Sequence, residues 1–335
     1  MHVDDLFVIF SCSRLGNELE KQLRRKYNTI KVQEGRSVSY VGMYFTRNDN
    51  YTVSAKKIGY VEGLLRRYND SIDNKVVVTP SDTLLFTDDG NGEPVNQTWF
   101  SSLLMSLMYI ALRTRPDIIK EVAYLSTHMQ NPTKNDVPKL VRILRYLNGT
   151  KDRGITFSND DMNLSVWIDA SYAIHDDAKS QSAVVITVGD HQGPLYVRAT
   201  KQKYMTTSST WSELAAIHDG MSTILWCRQL LEDLGFKQAP TTIYQDNQST
   251  IKLAYKGEGA SAATKHLKVR YFYVKENLDS KEIAIEYCPT DYMIADIMTK
   301  PTDARRFGYH RDRMMNTNSG DVRHFNGKRS HEELN

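Results

Sequence analysis

The sequence of 335 residues contains only three cysteines, at Cys12, Cys227 and Cys288. An odd, scattered set supports neither a disulfide framework nor a zinc site, so a reducing compartment is the simplest interpretation. No apolar run approaches the roughly 18 residues that a membrane span requires. The N-terminal residues include two acids and no basic region, which argues against a signal peptide. These absences predict a soluble protein inside the cell, without a membrane partner.

A strong excess of either charge is also lacking, because 43 Lys and Arg residues face 40 Asp and Glu residues, for a net charge of +3. This weak basic excess permits a nucleic-acid partner without requiring one, so the positions of the cations are more informative than their sum. The apolar content of 40% and charged content of 25% are those of an ordinary globular protein. The length predicts two or three domains.

Within residues 164–298, four of the acidic residues each lie in a distinctive short motif. Two of them end apolar strand-like runs and two lie in helix-like runs. Four carboxylates that converge at one end of a sheet suit two divalent metal ions about 3.5–4 Å apart, the arrangement used for in-line displacement at phosphorus. The four are Asp169 in S-V-W-I-D-A-S-Y, Glu213 in S-S-T-W-S-E-L-A, Asp246 in Y-Q-D-N-Q-S and Asp296 in M-I-A-D-I-M-T-K-P.

Structural roles compete with metal binding at three positions. Thr210 and Glu213 have the spacing of a capping box, in which the glutamate accepts the N-cap amide. Asp246 could instead be the N-cap of the helix that begins with N-Q-S-T-I. Asp291, which follows a Pro-Thr turn, is either a helix cap or a rival of Asp296 for the fourth ligand position.

The same region predicts three strands, a helix, a strand, two helices, a strand and a last short helix. The strands have alternating or continuous apolar patterns, and the long helix follows the third strand. The predicted strands are Leu164–Asp169, Ala183–Val188, Pro194–Ala199, Thr242–Gln245 and Glu282–Cys288, and the long helix is Trp211–Leu234.

The N-terminal 150 residues predict a different set of elements. The first ten residues have the pattern of a turn and the second strand of a hairpin, with Asp4 and Asp5 at the turn, where they either face solvent or bind metal. A second hairpin surrounds N-D-N, with Gly42 inside its first strand. Residues 70–98 lack periodicity and predict a linker or an extended connection. The predicted helices are Leu15–Tyr27, Lys56–Tyr68, Phe100–Leu112 and Pro138–Leu147.

Two groups of cations are candidates for contact with nucleic acid. Three of them lie three residues apart on the Pro138–Leu147 helix, where they could follow a phosphate backbone or form a solvated face. The others belong to T-K-H-L-K-V-R-Y, in which the histidine has the alternative role of an ordinary surface residue. The candidates are Lys139, Arg142 and Arg145, followed by Lys265, His266, Lys268 and Arg270.

Taken together, these motifs resemble the C-terminal part of the Pol polyprotein of copia-type LTR retrotransposons, over about residues 1–315. The run from W-F-S-S-L-L-M-S-L to I-L-R-Y-L-N-G-T is similar to the connection segment of that family. The four acidic motifs and T-K-H-L-K-V-R-Y are similar to its ribonuclease H domain. V-D-D near the N-terminus resembles the reverse transcriptase active site, although His2 stands where that family usually has Tyr.

The resemblance implies an α/β (α+β) fold with a ribonuclease H-like mixed five-stranded sheet. It divides the chain into a partial palm and thumb (1–70), a linker and helical connection (71–150), a ribonuclease H-like domain (151–310) and a disordered tail (311–335). The hairpin near Gly42 would grip the primer end. Because the chain begins inside the palm, no polymerase activity is expected from it alone.

The resemblance also implies hydrolysis of the RNA strand of RNA–DNA hybrids with two Mg²⁺ ions, for which Mn²⁺ could substitute. Asp169, Glu213, Asp246 and Asp296 would be the catalytic metal ligands, and Asp4 and Asp5 would be ligands of the palm. Partners would be the hybrid and the rest of the polyprotein, in the cytoplasm within a virus-like particle or in the nucleus. The alternatives are a decayed or co-opted fragment that only binds nucleic acid or a partner, and an integrase-like core, which would require a glutamate as its last acid.

Overall fold

The computed structural model describes residues 5–10, 12–27, 29–87, 92–158, 161–190, 192–256 and 265–317. Within these residues the strands form two sheets. The first consists of β1 (Ser37–Tyr40), β2 (Met43–Arg47), β3 (Val53–Lys56) and β4 (Ile155–Phe157), all antiparallel in that order. The second consists of β5 (Leu164–Ser171), β6 (Gln181–Val188), β7 (Tyr196–Lys201), β8 (Thr241–Gln245) and β9 (Ile283–Tyr287).

The helices of the described residues fall into two groups. Before the second sheet come α1 (Ser13–Lys26), α2 (Ile58–Arg67), α3 (Asn69–Ile72), α4 (Gln97–Ala111), α5 (Ile119–Ser126) and α6 (Asp136–Gly149). Within and after it come α7 (Ser209–Asp233), α8 (Gln248–Lys256), α9 (Lys265–Asp279) and α10 (Ala304–Met314). Short 3-10 helices span Pro116–Ile118, Thr290–Tyr292 and Ile294–Met298. No helix of the described residues has the length and apolar character that would let it cross a membrane.

The second sheet has the strand order β7-β6-β5-β8-β9. β5, β6 and β7 are antiparallel, whereas β8 and β9 run parallel to β5. The predicted fold class, a mixed five-stranded sheet with helices, is therefore confirmed, as is the predicted order of its elements. The parallel pair β5 and β8 places the C-terminal ends of both strands at one edge of the sheet.

Both faces of this sheet are covered by hydrophobic cores. Val166 and Ile168 of β5 pack into a cluster with α7, α8 and α9, while Trp167, on the opposite face, packs into a cluster with α4, α5 and α6. The alternation along β5 produces this division, because successive side chains point to opposite faces. Asp169 therefore shares the face of Trp167, toward the helices that precede the sheet.

The segment predicted to be a linker is packed against this second cluster. Leu85 and Phe86 are 2% and 5% exposed and lie among the side chains of α4, α5 and α6. β4 pairs with β3, so residues on both sides of position 150 share one sheet. The domain boundaries at 70, 150 and 310 stay predictions. The tail predicted to be disordered begins at residue 311, but its first residues complete α10, and Met314 and Met315 are buried. From residue 318 onward the tail lies outside the described residues.

Two predictions for the N-terminal region are wrong. Leu6–Phe10 form no strand, and Leu6 and Ile9 are 48% and 86% exposed. Gly42 does not lie inside a strand; Val41 and Gly42 have φ values of 49° and 67° and form the two-residue turn between β1 and β2. Positive φ at both central residues is the geometry of a type I′ hairpin turn, which glycine adopts at low cost.

Candidate active site

Three of the four predicted acids meet at the C-terminal edge of the second sheet. Asp169 lies near the end of β5, Asp246 directly follows β8, and Glu213 lies in the first turns of α7. One carboxylate oxygen from each lies within 4.8 Å of those of the other two. Parallel pairing of β5 with β8 explains the approach of the two aspartates, since it aligns their C-terminal ends.

Glu213 is not part of a capping box. The N-cap residue of α7 is Ser208, whose hydroxyl accepts the backbone amide of Trp211 at 3.4 Å. The Glu213 carboxylate points into the sheet edge instead, where it accepts Gln245 Nε2 at 3.2 Å. The position of the cap two residues earlier than Thr210 leaves Glu213 free to join the other carboxylates.

Asp246 is also released from the competing capping role. Asn247 Oδ1 accepts the backbone amide of Thr250 at 3.1 Å, at the start of α8. Asp246 Oδ2 accepts the hydroxyl of Thr290 at 2.9 Å. Asp246 is half-buried, whereas Asp169 and Glu213 are buried, so the cluster is open to solvent on the side of Asp246.

Asp296 lies beside this cluster without belonging to the group of three. It sits in the Ile294–Met298 3-10 helix, is fully buried, and acts electrostatically on Asp169. Its carboxylate forms ion pairs with Lys300 Nζ at 2.5 Å and Arg306 Nε at 3.3 Å. Asp291 is exposed in the preceding 3-10 helix, whose N-cap is Pro289, so the structure brings Asp296 rather than Asp291 to the site.

Without a cation, the site disfavours simultaneous ionisation of Asp169, Glu213 and Asp246. Burial, followed by the carboxylates of Asp296 and Asp246, raises the pKa of Asp169 to about 7. Burial and the neighbouring Asp169 and Asp246 carboxylates raise the pKa of Glu213 well above its usual range. A divalent cation between them would remove this repulsion, and hard carboxylate oxygens are the ligands that Mg²⁺ and Mn²⁺ prefer. The donor set therefore fits such an ion.

Two supporting residues were not identified from the sequence. Thr299 donates its hydroxyl to Asp169 Oδ2. Gln245, which is fully buried, uses one amide to donate to Glu213 and to accept the backbone N–H of Asn247 at 2.9 Å. The only available signal was adjacency, because Gln245 precedes Asp246 and Thr299 lies within the M-T-K-P motif. Both fix the orientation of a candidate ligand.

The three cations of α6 contact the segment that was predicted to be a linker. Each has a partner within residues 72–87, so the face they form is packed against protein. The contacts join Lys139 Nζ to the Thr87 carbonyl at 2.6 Å, Arg142 Nη1 to Asp82 at 3.3 Å and Arg145 Nη2 to Asp73 at 3.4 Å. Their role in nucleic-acid binding stays a prediction.

The second group of cations lies on α9. Lys265 is exposed and Lys268 is half-buried, whereas Arg270 pairs with Asp219 of α7 at 3.2 Å. The side chain of His266 lies outside the described residues, as does Asp4. Asp5 is described and exposed; the structure does not bring it to the carboxylate cluster.

The fold and site define a mixed α/β protein with an acidic centre at the edge of a five-stranded sheet. The retrovirus-related Pol polyprotein from transposon TNT 1-94 of Nicotiana tabacum is 28% identical to it over 318 residues, covering 92% of this chain and 23% of the relative. That from transposon RE1 of Arabidopsis thaliana is 32% identical over 255 residues, covering 74% and 17%. The predicted resemblance to retrotransposon Pol polyproteins is thus confirmed over most of the chain.

The chain spans less than a quarter of these relatives, 23% and 17% of their lengths. Among solved structures, the N-terminal ribonuclease H domain of a Mycobacterium tuberculosis protein, fused to maltose-binding protein, is 13% identical. The match covers 42% of this chain and 91% of that chain, with a TM-score of 0.31. No family model matches the chain.

Proposed function

We propose that this chain is a metal-dependent nuclease of the copia-type retrotransposon family that hydrolyses the RNA strand of RNA–DNA hybrids. The observation that carries the proposal is the meeting of Asp169, Glu213 and Asp246, within 4.8 Å of one another, at the C-terminal edge of a mixed sheet. Hydrolysis at phosphorus by one or two divalent ions uses such a set of carboxylates. The similarity to retrotransposon Pol polyproteins supports the choice of nucleic acid as substrate.

In this mechanism Asp169, Glu213 and Asp246 would hold the ion, with Asp296 as the fourth candidate ligand. The divalent ions, when bound, supply Lewis acidity toward the scissile phosphate and the attacking water. The residues of the chain supply orientation: Thr299 holds Asp169 and Gln245 holds Glu213. The half-buried Asp246 leaves one side of the cluster open to solvent, which is the side from which a phosphate would approach.

Binding of the hybrid would use α9. Lys265 and Lys268 lie on this helix with part of their side chains open to solvent, and they can contact phosphates. Phe272, also on α9, is 62% exposed and offers an aromatic surface beside them. Selection of the RNA strand would depend on contacts to 2′-hydroxyl groups.

The N-terminal part would be the remnant of a palm and thumb that contacts the primer end. Support comes from an open cavity of about 590 Å³ beside the Gly42 turn, which three tyrosines and a lysine line. The lysine, Lys57, is 2% exposed and donates to the Val41 carbonyl at 3.0 Å. Within a virus-like particle or the nucleus, this part would act with the rest of a Pol polyprotein.

A second candidate function is nucleic-acid binding without cleavage, as in a decayed or co-opted element. The observation that favours it is the ion pairing of Asp296, whose carboxylate faces Lys300 at 2.5 Å and Arg306 at 3.3 Å. A carboxylate so occupied is a weaker ligand for a second metal ion. The two candidates differ in whether the Asp169, Glu213 and Asp246 cluster performs chemistry.

The test is strand-specific cleavage by the purified chain with Mg²⁺. RNA–DNA hybrid, double-stranded RNA and double-stranded DNA of one sequence are compared, with each strand labelled in turn. The expected result is cleavage of the RNA strand of the hybrid alone, lost in Glu213→Gln. Binding of the hybrid without cleavage in either Mg²⁺ or Mn²⁺ would favour the second candidate, and equal cleavage of all three duplexes would contradict the proposed substrate.

A further inference from the structure

Asp296 is a buried carboxylate, and two cationic side chains balance its negative charge. It is 0% exposed, and its oxygens face Lys300 Nζ at 2.5 Å and Arg306 Nε at 3.3 Å. Burial of an ionised carboxylate is costly unless a countercharge accompanies it. These two cations therefore lie beside the oxygen atoms that a metal ion would need.

Lys300 interacts electrostatically with Asp169 and Asp246 as well as with its nearest partner, Asp296. Burial by itself would lower the pKa of Lys300, but the carboxylates of Asp169, Asp296 and Asp246 raise that pKa above its ordinary value. In the opposite direction, Lys300 lowers the pKa of Asp169. Its ammonium thus supplies part of the positive charge that the centre requires.

The backbone of Lys300 is held by hydrogen bonds, whereas its side chain is partly exposed. Its carbonyl accepts Nζ of the buried Lys120 at 3.1 Å, and its amide donates to the Asp296 carbonyl at 3.3 Å. The side chain itself is 41% exposed, in contrast to the fully buried Asp296. The flexible stem of a lysine allows the ammonium to leave toward solvent without a change in the fold.

Arg306 is less suited to leave the site. It lies in the first turn of α10, where Asp303 caps its backbone amide at 3.0 Å, and its guanidinium also donates to the Thr290 carbonyl at 3.3 Å. The neighbouring Thr290 holds Asp246. Arg306 can therefore retain Asp296 in place after Lys300 has moved.

Resting on the proposed metal-dependent function, we infer that Lys300 is an internal counter-ion that competes with a second divalent cation for Asp296. The three carboxylates of Asp169, Glu213 and Asp246 bind the first ion without hindrance. A second ion must displace the Lys300 ammonium. The apparent affinity of the protein for that ion is therefore reduced to the fraction of molecules in which Asp296 is free. Lys300 thereby sets the ion concentration at which both metal positions fill.

The test is titration of the chain with Mn²⁺ in the absence of nucleic acid, with free Mn²⁺ measured by electron paramagnetic resonance. Lys300→Met should bind the second ion about tenfold more tightly than the parent, if Asp296 is free in about a tenth of parent molecules. Lys300→Arg keeps the charge and should resemble the parent. Lys237→Met is the matched control, because Lys237 is exposed and lies before β8, at the end of that strand remote from Asp246.

An unchanged or weaker second binding event in Lys300→Met would overturn the inference. Lys300→Gln provides a second variant that can still donate to Asp296 as a neutral group, and the same tightening is expected. Failure of both variants to fold even at saturating Mn²⁺ would also overturn it, because a displaceable counter-ion is not required for folding. Hybrid cleavage is measured separately, so a parent that binds two ions but never cleaves contradicts the proposed function and not this inference.

Discussion

Neutralising Asp169 should stabilise the metal-free protein. Asp169 is 3% exposed, and burial together with Asp296 and Asp246 raises its pKa from 3.8 to about 7. At pH 8, where Asp169 is ionised, this rise in pKa lowers the free energy of unfolding by at most about 4 kcal/mol. Asparagine keeps an oxygen that can accept the Thr299 hydroxyl, so Asp169→Asn should gain about 2 kcal/mol in the free energy of unfolding.

The sign of the pH dependence follows from the raised pKa. The folded state holds a proton on Asp169 up to about pH 7, whereas the unfolded chain loses it near its ordinary value of about 3.9. The parent therefore loses stability as the pH rises from about 4 to about 7, and the advantage of the asparagine variant should vanish near pH 4.

Urea unfolding in EDTA at pH 8 and pH 5 measures both effects, with the exposed Asp291→Asn as control. Added Mg²⁺ should stabilise the parent and the control by several degrees in melting temperature, but not Asp169→Asn, which lacks one ligand. A lower stability of Asp169→Asn than of the parent at pH 8 in EDTA would refute the account of the site as a cluster of mutually repelling carboxylates.

Three further predictions concern single side chains. Asp117 is fully buried, pairs with Arg115 at 2.8 Å and is the acceptor of Tyr146. Asp117→Ala should therefore lower the free energy of unfolding by about 3–5 kcal/mol in urea, because it leaves a buried guanidinium unpaired; a loss below about 1 kcal/mol would contradict this. Burial lowers the pKa of His310 to about 3, so stability present above pH 6.5 is lost as the pH falls toward 3. At pH 5 this effect costs the parent about 2 kcal/mol in the free energy of unfolding, and His310→Leu should abolish that cost. If the variant loses as much stability as the parent between pH 7 and pH 5, the low pKa of His310 is disproved. Thr299→Val should reduce single-turnover cleavage of the hybrid about tenfold, because it frees Asp169 to rotate, whereas the exposed Thr207→Val should not.

Periodicity was sufficient to predict the second sheet. Along β5, Leu164, Val166 and Ile168 alternate with Ser165, Trp167 and Asp169, while β6 contains a continuous apolar run over residues 183–186. Asp246 directly follows a short apolar strand. Strand ends that align in parallel pairs bring their following residues together, so the meeting of Asp169 with Asp246 could be anticipated from local patterns alone.

Long-range polar contacts could not be anticipated in this way. α5 was not predicted. Its Lys120 and Glu121 are of residue types that usually face solvent, yet they are 2% and 1% exposed and pair at 3.1 Å. The cations of α6 had the spacing of a phosphate-binding face, but their partners lie in residues 72–87, which have no periodicity. The ion pair of Asp296 with Lys300 likewise depends on burial that only the tertiary structure supplies.

The central claim is that the carboxylate cluster performs metal-dependent hydrolysis, and the most direct measurement is the cleavage rate of a labelled RNA–DNA hybrid by three chains. The parent and Asp291→Asn should cleave the RNA strand with Mg²⁺ and stop in EDTA. Asp246→Asn should be slower by a factor of about a hundred or more, since it removes a ligand and its charge. Equal rates for Asp246→Asn and the parent, or activity that persists in EDTA, would contradict the account.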